Sequence, residues 1–108
     1  MQNLQFSDKD KELFVTLPSD FRGLWFPAEV WEDKSLSWNQ KLLFGFLYYF
    51  KELNREQIIN LGKNQLQLSR EKTISAYTKL YEKGLISIER RLFEGRSLTF
   101  ICMMRSYE

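Results

Sequence analysis

The hydrophobic period of this chain changes at Gly84, and that change restricts how its second half can fold. Upstream, Ser69 is a good helix N-cap, because its hydroxyl can accept from a backbone N–H left unpaired in the first turn. Thr73, Ala76, Tyr77 and Leu80 then recur three and four residues apart, which puts them on one stripe of a helix spanning 69–83. The opposite face carries Glu71, Ser75 and Thr78, flanked by Arg70, Lys72, Ile74 and Lys79. Gly84 fits the left-handed residue that ends a helix, and Lys83 suits the negative end of the dipole. Beyond it the period is two. Ile86 and Ile88 alternate with Ser87 and Glu89, Arg90 and Arg91 lead to a Glu94-Gly95 turn signal, and Leu98, Phe100 and Cys102 alternate with Thr99 and Ile101. The pattern predicts a hairpin with Arg90, Arg91 and Arg96 near its tip, too small to be stable unless it packs on the helices.

The upstream chain predicts more helix. Ser37 and Gln40 match a capping box, so a helix should begin at Trp38. Leu42, Leu43, Phe44, Phe46, Leu47, Tyr48, Tyr49 and Phe50 make it apolar almost all round, which implies burial on most faces, with Tyr48 or Tyr49 as an alternative dimer patch. Asn54 and Gln57 form a second cap signature, opening a helix with Ile58, Ile59 and Leu61. Gly62 either ends that helix or weakens it, and a positioning helix is placed within 55–66. Pro27 suits the first position of a short helix, and Trp25, Phe26 and Trp31 read as core aromatics, base stacking being the alternative. Leu13 to Leu17 is a short apolar run ended by Pro18, read either as a dimerisation arm or extra edge strand, or as cover for the open edge of the hairpin sheet.

The run from the Ser69 cap through Glu82-Lys83-Gly84-Leu85-Ile86 into a basic hairpin resembles the winged helix-turn-helix of bacterial regulators and replication initiators. LSWNQKLLFGFLYYF, residues 36–50, is similar to the first helix of initiator-like and helix-turn-helix proteins carried by plasmids, phages and integrated mobile elements. FPAEVWEDK, residues 26–34, resembles the lead-in those proteins place before it. The likeness covers residues 24–103. It implies a mainly α fold with a small β-hairpin, a three-helix core plus wing, preceded by a short N-terminal arm or strand. K-G-L-I speaks for the fold and selects no function within it. The chain departs from these families at Gly62-Lys63, where Leu-Ala is common, and this leaves the register of the second helix open.

At 108 residues the chain is long enough for one domain with a single core. It divides into an arm (1–23), the winged domain (24–104) and a tail (105–108). A hydrophobic share of 44% with 16% aromatics argues for a packed globule rather than a disordered chain. Cys102, the single cysteine, is assigned an inward strand position and excludes an intramolecular disulfide, so a reducing, cytoplasmic setting is expected. The N-terminus is acidic and polar where a signal peptide would be apolar, and the longest apolar run, 42–50, falls well short of the roughly twenty residues that span a bilayer.

Charge is distributed unevenly. Residues 1–35 carry four basic and seven acidic side chains, residues 36–108 twelve and seven, so the halves stand at −3 and +5. A one-sided nucleic-acid surface would have that asymmetry, as would a solvated mixture of charges.

Catalytic chemistry has little to draw on. There is no histidine, a lone cysteine makes no zinc site, and no phosphate-binding loop, dinucleotide fingerprint or nucleophile elbow occurs. Asp8, Asp10 and Glu12 alternate but lack the glycine and terminal glutamate of a calcium loop. No enzyme and no cofactor are expected. The expected partner is double-stranded DNA, bound sequence-specifically with helix 69–83 in the major groove. Arg70, Ser75 and Thr78 are the candidates for base edges, and Glu71 can accept from cytosine. Lys63, Lys72 and Lys79 would touch phosphates, and Arg90, Arg91 and Arg96 would touch phosphate or the adjacent minor groove. Each has the alternative of being merely solvated. The resemblance implies a transcriptional regulator of a bacterial or mobile-element system, acting as a homodimer. Its alternatives are the DNA-binding domain of a replication initiator, which would need a further domain, and a winged helix used for protein interaction, which would show a neutral outer face on helix 69–83.

Overall fold

A computed structural model describes residue 21 and residues 23–104. Its described residues form four helices and a three-stranded antiparallel sheet, in the order α1 (Ala28–Trp31), α2 (Trp38–Phe50), β1 (Glu52–Asn54), α3 (Arg55–Leu66), α4 (Arg70–Glu82), β2 (Ile86–Phe93) and β3 (Arg96–Met103). The apolar run at Leu13–Leu17 and the tail beyond Met104 lie outside the described residues.

Local chemistry explains most of the boundaries. At α2 the Ser37 hydroxyl accepts from the Gln40 backbone N–H, and the Gln40 side chain accepts from the Ser37 N–H. Asn54 and Gln57 repeat that reciprocal pair at α3. Ser69 caps α4 through the Lys72 N–H. Helix α4 ends in a Schellman motif: the Gly84 N–H donates to the Tyr81 carbonyl, the Leu85 N–H to the Leu80 carbonyl, and Gly84 has φ +76°. The hairpin turns at Glu94-Gly95, both with positive φ, as the tight two-residue connection favoured by twisted strands requires.

The strand β1 is the departure from a helix bundle with a lone hairpin. It pairs antiparallel with β3, Leu53 opposite Ile101, and gives the sheet the order β1-β3-β2. The chain passes from α2 into β1 through one residue, Lys51, at φ +73°. Its N–H closes the helix on the Leu47 carbonyl, and its own carbonyl accepts from the Met103 N–H.

The core lies between α2, α3, α4 and one face of the sheet. Leu43, Phe44 and Leu47 of α2 meet Ile58 and Leu61 of α3, Leu80 of α4, and Ile86 and Ile101 of the strands. Register fixes the sheet faces: Leu53, Ile88 and Ile101 align on the core side, and Cys102 therefore points to the opposite side. That corrects the inward assignment of Cys102. The residue is buried all the same, because Arg91 and Glu52 cover it, and burial pushes its thiol up to about 11.

Helix α3 runs through Gly62, which therefore does not end it. A β-carbon at that position would overlap Oγ1 of fully buried Thr73 on α4, so the glycine lets the two helices touch backbone to side chain. The aromatic lead-in is less buried than its composition predicts. Trp25 and Trp31 are each 50% exposed and Trp38 is 56% exposed, so the first two are not core residues. Trp25 packs at a tilt against Tyr48 of α2, and Trp31 packs against Phe26 and, edge-on, against Trp38 at the start of α2.

Candidate nucleic-acid interface

The start of α3 gathers four of the ten expected residues around Glu56, namely Lys63, Arg70, Arg90 and Arg96, whereas Lys72 and Ser75 line a separate cleft against α2. Arg70, the first residue of α4, makes a bidentate pair with Glu56 of α3, both contacts at 3.1 Å. The arginine holds the Glu56 carboxyl below the usual carboxylate range, mainly through those hydrogen bonds. Tyr77 lies within reach of the charges of Arg55, Arg70 and Glu56, and burial pushes its phenol upward.

On α4, Glu71 and Ser75 are exposed and point away from the buried stripe of Thr73, Ala76, Tyr77 and Leu80. Thr78 and Lys79 are half-buried, and Lys72 is exposed on the flank facing α2, where it shares a cleft with Ser37, Asn39, Gln40 and Ser75. Lys63 is exposed on α3, beside the turn into α4. The ammonium groups of Lys63, Lys72 and Lys79 make no hydrogen bond or ion pair with another described residue.

The hairpin arginines have three different settings. Arg90 lies on the core-side face beyond the packed isoleucines and donates from Nε to the Ser97 hydroxyl at 3.1 Å. Arg91 lies on the other face and reaches across β3. Both terminal nitrogens bond Glu52 of β1 at 3.0 Å, Glu89 accepts a third contact at 3.1 Å, and the guanidinium stacks over Phe100 at 4.4 Å. Arg91 thus clamps all three strands, and its own pKa is raised by the two carboxylates. Arg96, beside the turn, lines a groove of about 320 Å³ with Asn54, Glu56, Gln57, Phe93, Leu98 and Phe100.

One residue of this region escaped the sequence reading. Arg55 opens α3 next to Glu56 and lines a second cleft with Arg90, Ser97 and Thr99; its buried Nε has no hydrogen-bond partner among the described residues. The signal for it was present in the sequence. A cation at the first position after a strong N-cap stands where the helix dipole favours an anion.

Among the described residues no group of three or more histidine, cysteine, aspartate or glutamate side chains could hold a metal ion, and no helix is long and apolar enough to cross a membrane. No family model, curated protein or solved structure matches this chain.

Proposed function

We propose that the chain is a winged helix-turn-helix module that binds double-stranded DNA sequence-specifically and serves as a transcriptional regulator. The observation that carries this reading is the order of the parts: helix, short strand, two helices, then a hairpin whose second strand pairs back to the short one. That order leaves the outer face of α4 beside the N-terminus of α3 and the hairpin, with one side of the helix free to enter a groove. Lys63, Lys72, Lys79 and Arg90 supply positive charge around it, and Ser75 and Glu71 supply short polar groups for base edges.

The test is selection of duplexes from a random pool at near-physiological salt, read by sequencing. An enriched motif supports the reading, and a palindromic one identifies a dimer. No retention of any duplex, even at lowered salt, overturns it.

A second reading, a winged helix that binds protein, is favoured by a specific observation. The outer face of α4 is not basic, since Glu71 and Glu82 bracket Ser75, and the guanidiniums of Arg70 and Arg91 are occupied by carboxylates of the same chain. Loss of the selection signal would leave this reading in place.

A further inference from the structure

We propose that the cleft between the start of α3 and the hairpin is a seat for one phosphodiester of a bound duplex, held by Arg55 and Arg90. Asn54, Arg55, Glu56, Arg90, Ser97 and Thr99 line this cleft of about 270 Å³. The two arginines come from different elements and converge on it. A pair of cations facing one cleft is unfavourable unless an anion lies between them.

Three features make the cleft acceptor-seeking. The Nε of Arg55 is buried without a hydrogen-bond partner among the described residues, an arrangement among the least favourable in a folded protein for a donor on a charged group, and a turn of the guanidinium toward an anion in the cleft would relieve it. Arg55 also heads a 12-residue helix, at the end whose free N–H groups attract negative charge and repel a cation. The Ser97 hydroxyl takes Nε of Arg90, which fixes the guanidinium and leaves its two terminal nitrogens for a ligand. Ser97 and Thr99 add hydroxyl donors along the wall. The acid present, Glu56, feels the charge of Arg55 but offers it no hydrogen bond, because both of its oxygens bond Arg70, so it satisfies the donors of neither cleft arginine. Donors approaching from several directions suit a tetrahedral phosphate better than a planar carboxylate.

The source of the phosphate rests on the duplex-binding reading, whereas the anion seat itself does not. The experiment is ¹⁵N NMR of the arginine Nε–H groups in the full chain, titrated first with inorganic phosphate and then with a selected duplex. Both should shift the Arg55 resonance and slow its exchange with water. Arg55→Gln should weaken binding to all duplex sequences alike and lower the slope of log affinity against log salt by about 0.9, the value for one lost phosphate contact. Its thermal midpoint should be equal to or above that of the parent, since a cation is removed from the positive helix end; a purely structural arginine would lower it. Arg90→Gln should reproduce the slope change and leave α3 untouched. An Arg55 resonance that inorganic phosphate and a bound duplex both leave unmoved overturns the proposal. A shift with inorganic phosphate in a protein that binds no duplex supports the anion seat and overturns DNA as its source.

Discussion

Gly62 shows how far a single residue can be read from the chain and where that reading stops. By helix propensity, alanine there should stabilise α3 by about 1 kcal/mol. The added methyl would overlap Thr73, whose hydroxyl is fixed by a 3.0 Å bond to the Ser69 carbonyl and which is fully buried. Overpacking of this kind costs about 1–3 kcal/mol, so Gly62→Ala should lower the unfolding free energy on balance, read from urea titration. Pairing it with Thr73→Ala should cost less than the two single changes summed, because the second removes what the first strikes. Leu80 is the opposite case. Its place on the stripe is legible from spacing alone, and it is fully buried. Leu80→Ala should lose about 2–5 kcal/mol in the same titration. Periodicity identifies which residues face inward, but not which atom across the turn forbids a side chain, and so the reason for Gly62 was hidden.

Among the elements, the three long helices and the hairpin were legible because each helix carries its own start and the last also its stop: Ser37, Asn54 and Ser69 as caps, Gly84 as the terminator of α4, Glu94-Gly95 as the hairpin turn. β1 was not. It has only three residues, too few to show a period, and the reversal before it is made by Lys51 in a left-handed conformation that glycine or asparagine would have advertised. Its attachment is visible only in three dimensions, as the clamp of Arg91 on Glu52. Hydrogen bonds from Arg91 hold the Glu52 carboxyl below its ordinary range, against a smaller opposing effect of desolvation. A carboxylate depressed in the folded state contributes in full above its unfolded pKa and loses that contribution as pH falls through its folded value. The thermal midpoint should therefore fall from about pH 5 downward, the unfolded glutamate titrating near 4.3. Glu52→Gln should lower the midpoint at pH 7 and flatten its decline in acid. Glu56 and Asp33, depressed by Arg70 and by Lys83 with Ser35, share the same direction, so the variant should retain part of the decline. These pairs are half-exposed, and a steep single-residue effect is not expected.

For the whole molecule, the question is which cations remain available to a polyanion once the fold has used its share. Counted along the chain, the second half has a surplus of five positive charges and three arginines in its hairpin. In three dimensions Arg70 answers Glu56, Arg91 answers Glu52 and Glu89, and Lys83 answers Asp33 at 2.9 Å. Net charge could not reveal this, because three of these pairs lie 14, 39 and 50 residues apart in sequence and meet only through tertiary packing: α3 on α4 for the first, β1 and β2 on β3 for the second, and the loop after α1 against the end of α4 for the third. Of the other exposed cations among the described residues, Lys63 lies beside the turn into α4, Lys72 on the flank of α4 and Arg90 on the hairpin, so none occupies the outer face of that helix. If a duplex docks there, the effects of alanine substitution should separate into two groups. Lys63→Ala, Lys72→Ala and Arg90→Ala should each reduce the slope of log affinity against log salt by about 0.9 with an unchanged denaturation midpoint. Arg91→Ala should leave that slope within error of the parent and lower the midpoint, because it frees Glu52 and uncovers Cys102. Salt-dependent fluorescence anisotropy on one fixed duplex, with a melting curve for each variant, measures both quantities. A loss of slope in Arg91→Ala equal to that in Arg90→Ala would mean that the clamp opens on binding and that both hairpin arginines reach phosphate.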